Sequence, residues 1–162
     1  MDKYNESLIK AYDSYADKIY RHCFYRTFNN ETAEELTQET FLRYFKYLKA
    51  GKEIEYPKTF LFKIANNLII DKSRKKKEVS LDSMVENGFM PEDTKHISAE
   101  TKADVNLALK AIKKIDYKYR LPLIMYYVDG LKPKEIAEIL RENTNVISVR
   151  IYRGLKKAKK ML

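Results

Sequence analysis

The chain has 162 residues, enough for one domain or two small ones, and carries 32 Lys and Arg against 23 Asp and Glu, a net charge of +9. The one cysteine, Cys23, excludes an internal disulfide, and no apolar run approaches the ~18 residues that a membrane span needs. Four glycines and four prolines among abundant Leu, Ile, Lys, Glu and Ala predict an all-α protein.

Residues 4–28 read as a first helix. Leu8, Tyr12, Tyr15 or Ala16, Ile19, Cys23 and Phe24 recur at three- and four-residue steps, and Tyr20, Tyr25 and Phe28 broaden the stripe. No charged-then-apolar leader precedes it, so the expected compartment is the cytoplasm. His22 and Cys23 stand side by side, with no second Cys–His cluster to complete a zinc site, and no metal is expected. Asn29-Asn30 is a turn. Asn30-Glu31-Thr32-Ala33 then reads as an N-cap followed by acidic first-turn residues, which suit the helix dipole. In this second helix Ala33, Leu36, Phe41, Tyr44, Phe45 and Leu48 form the apolar stripe. Glu34, Glu35, Gln38, Glu39 and Arg43 lie off it and, on residue type alone, make a solvated acidic face. Gly51 ends the helix, and residues 51–56 form a loop.

Pro57 suits the first turn of a third helix, where its missing N–H costs nothing. Phe60, Ile64 and Leu68 follow i, i+4 spacing with Leu61 beside them, while Lys58, Lys63, Asn66, Asn67 and Lys72 are expected off that face. The helix runs into Arg74-Lys75-Lys76-Lys77, which no core can bury. Charge is distributed in blocks: residues 1–56 carry −1, 57–78 +5, 79–100 −4 and 101–162 +9. Two basic blocks separated by an acidic one suggest two contact surfaces for a polyanion. In the first, cations would hold nucleic-acid backbone while the paired amides touch bases. A core helix with a solvated basic tail is the alternative.

Residues 79–100 are acidic and aperiodic and read as a linker, with His96 an ordinary surface residue within it. Residues 101–162 form a second helical unit. Val105, Ala108 or Leu109, Ile112 and Ile115 define one amphipathic helix, and residues 116–119 a break. Arg120-Leu121-Pro122 starts a second helix that stops at Asp129-Gly130. Leu131 to Leu140 make a short helix with an early proline, Arg141-Glu142-Asn143 a turn, and Thr144 to Met161 a last helix with Ile147, Ile151 and Leu155 inward. Ile136, Leu140 and Ile147 can form the small core of a helix-turn-helix, with Ala137 small where the helices approach and Asn143 as the cap. Ser148, Arg150, Tyr152 and Arg153 then project from a helix whose start can enter a major groove.

With these strings in place, the chain resembles a bacterial RNA polymerase sigma factor of the extracytoplasmic-function (ECF) type within the sigma-70 family. Ala33-Glu34-Glu35-Leu36-Thr37-Gln38-Glu39-Thr40-Phe41-Leu42 resembles the family's polymerase-binding helix. Pro57 to Lys77, centred on Phe60-Leu61-Phe62-Lys63-Ile64-Ala65-Asn66-Asn67-Leu68, resembles the promoter-melting and −10-recognition helix. Leu109 to Leu162 resembles the −35-binding domain, marked by Tyr119-Arg120-Leu121-Pro122-Leu123-Ile124 and Gly130-Leu131-Lys132-Pro133-Lys134-Glu135-Ile136-Ala137.

The resemblance implies an all-α fold of two helical domains joined by a linker, the C-terminal one a helix-turn-helix. Its expected boundaries are an N-terminal sigma domain at 1–78, an acidic linker at 79–100 and a C-terminal sigma domain at 101–162. It implies a partner in core RNA polymerase, with Glu35, Gln38 and Glu39 facing the clamp of the beta and beta-prime subunits, which reverses the solvated reading of that face. It implies −10 contacts from Lys63, Asn66, Asn67, Lys72, Arg74, Lys75, Lys76 and Lys77, with Asn67 on a base drawn from the duplex. Contacts with −35 DNA fall to Asn145, Ser148, Val149, Arg150, Tyr152, Arg153, Lys156 and Lys157. Glu142, Val146 and Ser148 depart from the family pattern, where an apolar residue, a threonine and a basic residue are usual. An anti-sigma factor is a further partner of the family. No cofactor, membrane insertion or catalytic role is implied. An autonomous helix-turn-helix regulator explains the last helix but leaves 31–48 and 57–77 without a role. A nuclease needs carboxylates clustered for a metal, and the acids here are scattered over exposed faces.

Overall fold

The computed structural model describes residues 2–75, 107 and 110–161. The expected linker, His96, Lys76, Lys77, Val105, Ala108 and Leu109 lie outside them. The chain divides into two compact units, Met1–Val79 and Ser80–Leu162. The described residues are helix, turn and loop, with no strand among them.

The first unit is a bundle of α1 (Lys3–Thr27), α2 (Asn30–Lys49) and α3 (Pro57–Lys75). Side-chain pairs fix the directions. Tyr12 meets Phe41 at 5.0 Å between ring centroids, and Tyr20 donates to Asn30 further along, so α1 and α2 are antiparallel. Tyr47 on Phe60 at 4.9 Å and Lys72 on Glu35 set α3 antiparallel to α2. His22 on Phe62 and Arg26 on Asn66 then run parallel between α1 and α3.

Ile19, Cys23, Phe24, Leu61 and Phe62 are fully buried where the three helices meet. Tyr12, read as part of the inward stripe, is instead 51% exposed, its ring lying edge-on over Phe41 at the rim. Thr37 and Thr40 are buried without a cost to the core, because each hydroxyl donates to the carbonyl four residues back, Ala33 and Leu36, at 2.7 Å. The cap of α2 is Asn29, one residue earlier than expected: its side chain accepts from the Thr32 N–H at 2.9 Å. Phe62→Ala is expected to destabilise the chain by about 3–5 kcal/mol, read as a lower denaturant midpoint at unchanged slope. A midpoint within error of wild type would mean that this junction is not the core.

The second unit contains α4 (Tyr117–Tyr127), α5 (Pro133–Leu140) and α6 (Thr144–Met161), preceded by helical residues at 110–113. Helix α4 starts at Tyr117, three residues before the expected position, so the break is shorter and Pro122 lies inside the helix. There the proline removes the backbone bond to Lys118 but is itself buried, its ring filling core space. Gly130, at φ 69°, ends the run, and Leu131 N–H returns to the Met125 carbonyl at 3.0 Å.

Pro133 occupies the first turn of α5 and Glu135 accepts from the Lys132 N–H at 3.1 Å. Asn143 caps α6 by accepting from the Asn145 N–H at 2.8 Å, as its position predicts. Ile136 and Ile147 are fully buried between α5 and α6, with Ala137 also buried, while Leu140 is half-buried and Ile139 takes a core position. Sequence reading missed Gly154. A Cβ there would lie 3.2 Å from the Tyr119 carbonyl oxygen, so with any other residue α4 and α6 would have to give by a few tenths of an ångström.

Candidate functional site

Glu35, Gln38 and Glu39 stand at i, i+3 and i+4 on α2, which places them on one surface face. Gln38 also lines a groove of about 430 Å³ between α1 and α2, together with Ile9, Tyr12, Phe41, Leu42 and Phe45. Ile9, Tyr12 and Leu42 are each about half exposed, so the polar face borders an uncovered apolar lip. These three are missing from the sequence-derived set. Ile9 and Leu42 fall off the apolar stripe of their helices, and that offset is the signal that would have found them. Glu39 pairs with Arg43 at 3.2 Å along the helix, and Glu35 with Lys72 of α3 at 3.2 Å. Such exposed pairs are worth roughly 0–1 kcal/mol, so an incoming partner displaces them readily.

On α3, Lys63, Asn67 and Arg74 share one face through i, i+4 and i+11 spacing. Asn67, Arg74 and Lys75 are exposed, and Lys63 and Lys72 half-buried. Asn66 is not where the sequence reading put it. It is only 3% exposed, points toward α1 and accepts from Arg26 Nη1 at 2.8 Å. A buried amide needs partners, and Arg26 supplies one from forty residues away. Of the two adjacent amides, one orients the helix and the other faces outward.

On α6, Ile147, Ile151, Gly154 and Ala158 form the buried line. Asn145, Ser148, Val149, Tyr152, Arg153, Lys156 and Lys157 are exposed on the rest of the surface. The helix carries six Lys and Arg and no acid. Arg150 is half-buried, its Nη1 3.5 Å from Glu142 Oε1, so the glutamate in the turn acts on a cation of α6. Lys156 lies over the Tyr152 ring at 4.9 Å. Across the helix, Lys118 and Lys157 lie over the Tyr119 ring at 4.9 and 5.3 Å. Desolvation is the largest influence on the Tyr119 phenol and acts upward. The charge of Lys118 and hydrogen bonding and charge from Arg153, with a hydrogen bond from Lys118, together outweigh it, and hold the pKa below the ordinary tyrosine value. No described helix is long and apolar enough to cross a membrane.

Two family models match the chain in order: Sigma-70 region 2 over residues 11–79 and Sigma-70, region 4 over residues 106–157. The ECF RNA polymerase sigma factor SigW of Bacillus subtilis (strain 168) is 34% identical, the match covering 93% of this chain and 86% of SigW. The RNA polymerase sigma factor SigV of the same organism is 28% identical over 92% of this chain and 87% of its own length. A solved structure, the sigma factor RpoE in complex with the anti-sigma factor NepR from Bartonella quintana, has a TM-score of 0.71. It covers 99% of this chain and 97% of RpoE at 16% identity, a likeness of fold.

A three-helix unit with an outward amide above a basic end, followed by a helix-turn-helix with an acid-free last helix, is the build of a bacterial transcription initiation factor. The chain belongs to the ECF sigma factors of the sigma-70 family. It is an alternative sigma factor for transcription initiation, and its sigma-70 region 2 and region 4 units are all-α.

Proposed function

We propose that the two units divide promoter recognition between them, with residues 1–78 binding core RNA polymerase and opening the −10 element and residues 101–162 holding duplex at −35. Residues 79–100 join them. On α2, Glu35, Gln38 and Glu39 face the beta and beta-prime subunits, and the apolar lip of Ile9, Tyr12 and Leu42 adds the desolvated contact that a polar face lacks. On α3, Asn67 takes a base drawn from the stack, while Lys63, Lys72, Arg74 and Lys75, continued by Lys76 and Lys77, hold backbone. Asn66 leaves this set, because its amide is turned inward onto Arg26.

The observation that carries the reading is Asn67. It is an exposed amide directly between buried neighbours, Asn66 and Leu68, aligned with Lys63 and Arg74. Unstacking a base costs a few kcal/mol. Hydrogen bonding to the extruded base, with electrostatic hold on its flanking phosphates, offsets part of that cost. On α6, Asn145, Ser148, Val149 and Tyr152 are the base-facing positions, and Arg150, Arg153, Lys156 and Lys157 the positioning cations.

The chemistry of nucleotide addition stays with the polymerase, so this chain is not itself an enzyme, and it works in the cytoplasm. An anti-sigma factor is a further partner, a reading supported by the complex of RpoE with NepR. The test is a gel shift on a promoter duplex. The purified chain alone is expected to bind weakly and the chain with core polymerase tightly. Tight, sequence-specific binding by the chain alone would make it an autonomous helix-turn-helix regulator instead.

A further inference from the structure

The α6 cations account for one side of the basic surface of the second unit. The other side comes from the start of α4. Lys118 approaches the Tyr119 ring from one direction at 4.9 Å and Lys157 from α6 at 5.3 Å, and Arg153 acts on the same hydroxyl. Gly154 favours the close approach of the two helices, since a Cβ there would press on the Tyr119 carbonyl at 3.2 Å. Three cations from two helices therefore converge on one phenol. Among the described residues none of the three pairs with a carboxylate, and α6 holds no acid at all.

We propose that Tyr119 is a positioning residue that holds Arg153 and Lys157 of the recognition helix together with Lys118 of α4 as one site for a backbone phosphate of duplex DNA. The proposal rests on the reading of α6 as the −35 duplex surface and extends that surface onto α4, where no contact is assigned. Like charges held this close repel, and the arrangement stores that repulsion until an anion relieves it. The aromatic ring makes the gathering tolerable, because its π face attracts each ammonium. The hydroxyl offers Arg153 a hydrogen-bond partner, which narrows the orientations open to its guanidinium. The lowered pKa of the phenol reports the same convergence of positive charge. A phosphate is the fitting anion. It takes several donors at once, and a duplex offers one at each step along the groove.

The test uses the full chain assembled with core polymerase, forming closed complexes on fragments with an intact or a scrambled −35 element over roughly 50–200 mM salt. Lys118→Gln is expected to weaken binding equally on both fragments and to reduce the slope of log affinity against log salt by about one. Tyr119→Phe keeps the ring and removes the hydroxyl, so it should fold as wild type and weaken duplex binding roughly two- to fivefold. In an Arg153→Ala background its effect should shrink, since of the two cations on the hydroxyl only Lys118 is left. An unchanged slope for Lys118→Gln, or a Tyr119→Phe effect of equal size with and without Arg153, would overturn the proposal. If Arg153→Ala alone leaves duplex binding unchanged, the −35 reading itself fails and the proposal falls with it.

Discussion

Replacing Gln38 and Glu39 together by alanine is expected to weaken assembly with core polymerase at least tenfold, while helicity and melting temperature stay near wild type. Neither side chain belongs to the core: Gln38 is exposed at the edge of the α1–α2 groove, and the Glu39 carboxylate pairs with Arg43 on the helix surface. Alanine also has the higher helix propensity, so α2 has no local reason to unfold. A tenfold loss corresponds to about 1.4 kcal/mol, modest for two central polar contacts at a protein interface. Competitive pull-down against a wild-type chain reads it directly. Undiminished assembly of a well-folded double variant would remove this face from the polymerase interface.

The second large effect is expected at Asn67. Asn67→Ala should assemble with polymerase and form closed complexes at wild-type salt dependence, yet lose tenfold or more of its open complexes. The amide is exposed and forms no part of the packing around Leu61, Phe62 and Leu68, so its loss leaves the helix in place. A base contact is worth roughly 1–3 kcal/mol, and here that energy appears only once the base has left the stack. Permanganate reactivity of thymines in the −10 region measures the open fraction. The neighbouring Asn66→Ala should behave differently. It strips Arg26 of an acceptor inside the bundle, so its first symptom is a lower melting temperature, not a selective opening defect.

Those two asparagines show where the sequence was legible. The spacing of Phe60, Ile64 and Leu68 indicated an α3 with one apolar face, and Pro57 indicated its start. Helical spacing could not show that α1 also covers the other side of α3 and supplies an arginine to the amide of Asn66. Asn66 is buried because of Arg26, a partner forty residues earlier in sequence. Likewise Glu142 read only as a departure from the family pattern in the turn, and the return of α6 beside it brings Arg150 within 3.5 Å. Gly154 carried no sequence signal, since the Tyr119 backbone that would crowd a side chain there belongs to another helix. By contrast the helix-turn-helix was readable because its determinants are local. Pro133 sets the start of α5, Asn143 caps α6, and Ile136 and Ile147 lie close in sequence. The partner role proposed for the face of Glu35, Gln38 and Glu39 rests on resemblance, because a polar exposed face has the same pattern whether it meets water or a partner.

The division of labour between the two units is tested most directly by comparing a fully duplex promoter with one premelted across the −10 element, each bound by polymerase carrying Asn67→Ala or Arg153→Ala. Premelting removes the unstacking step but leaves the −35 duplex as it was. The account predicts that Arg153→Ala binds both templates poorly, because its contact is to duplex in each. It predicts that Asn67→Ala binds the duplex as wild type does, fails to open it, and recovers much of its open-complex yield on the premelted template. If the premelted template restores Arg153→Ala but not Asn67→Ala, or if both variants lose duplex binding equally, the two units do not divide the work in this way.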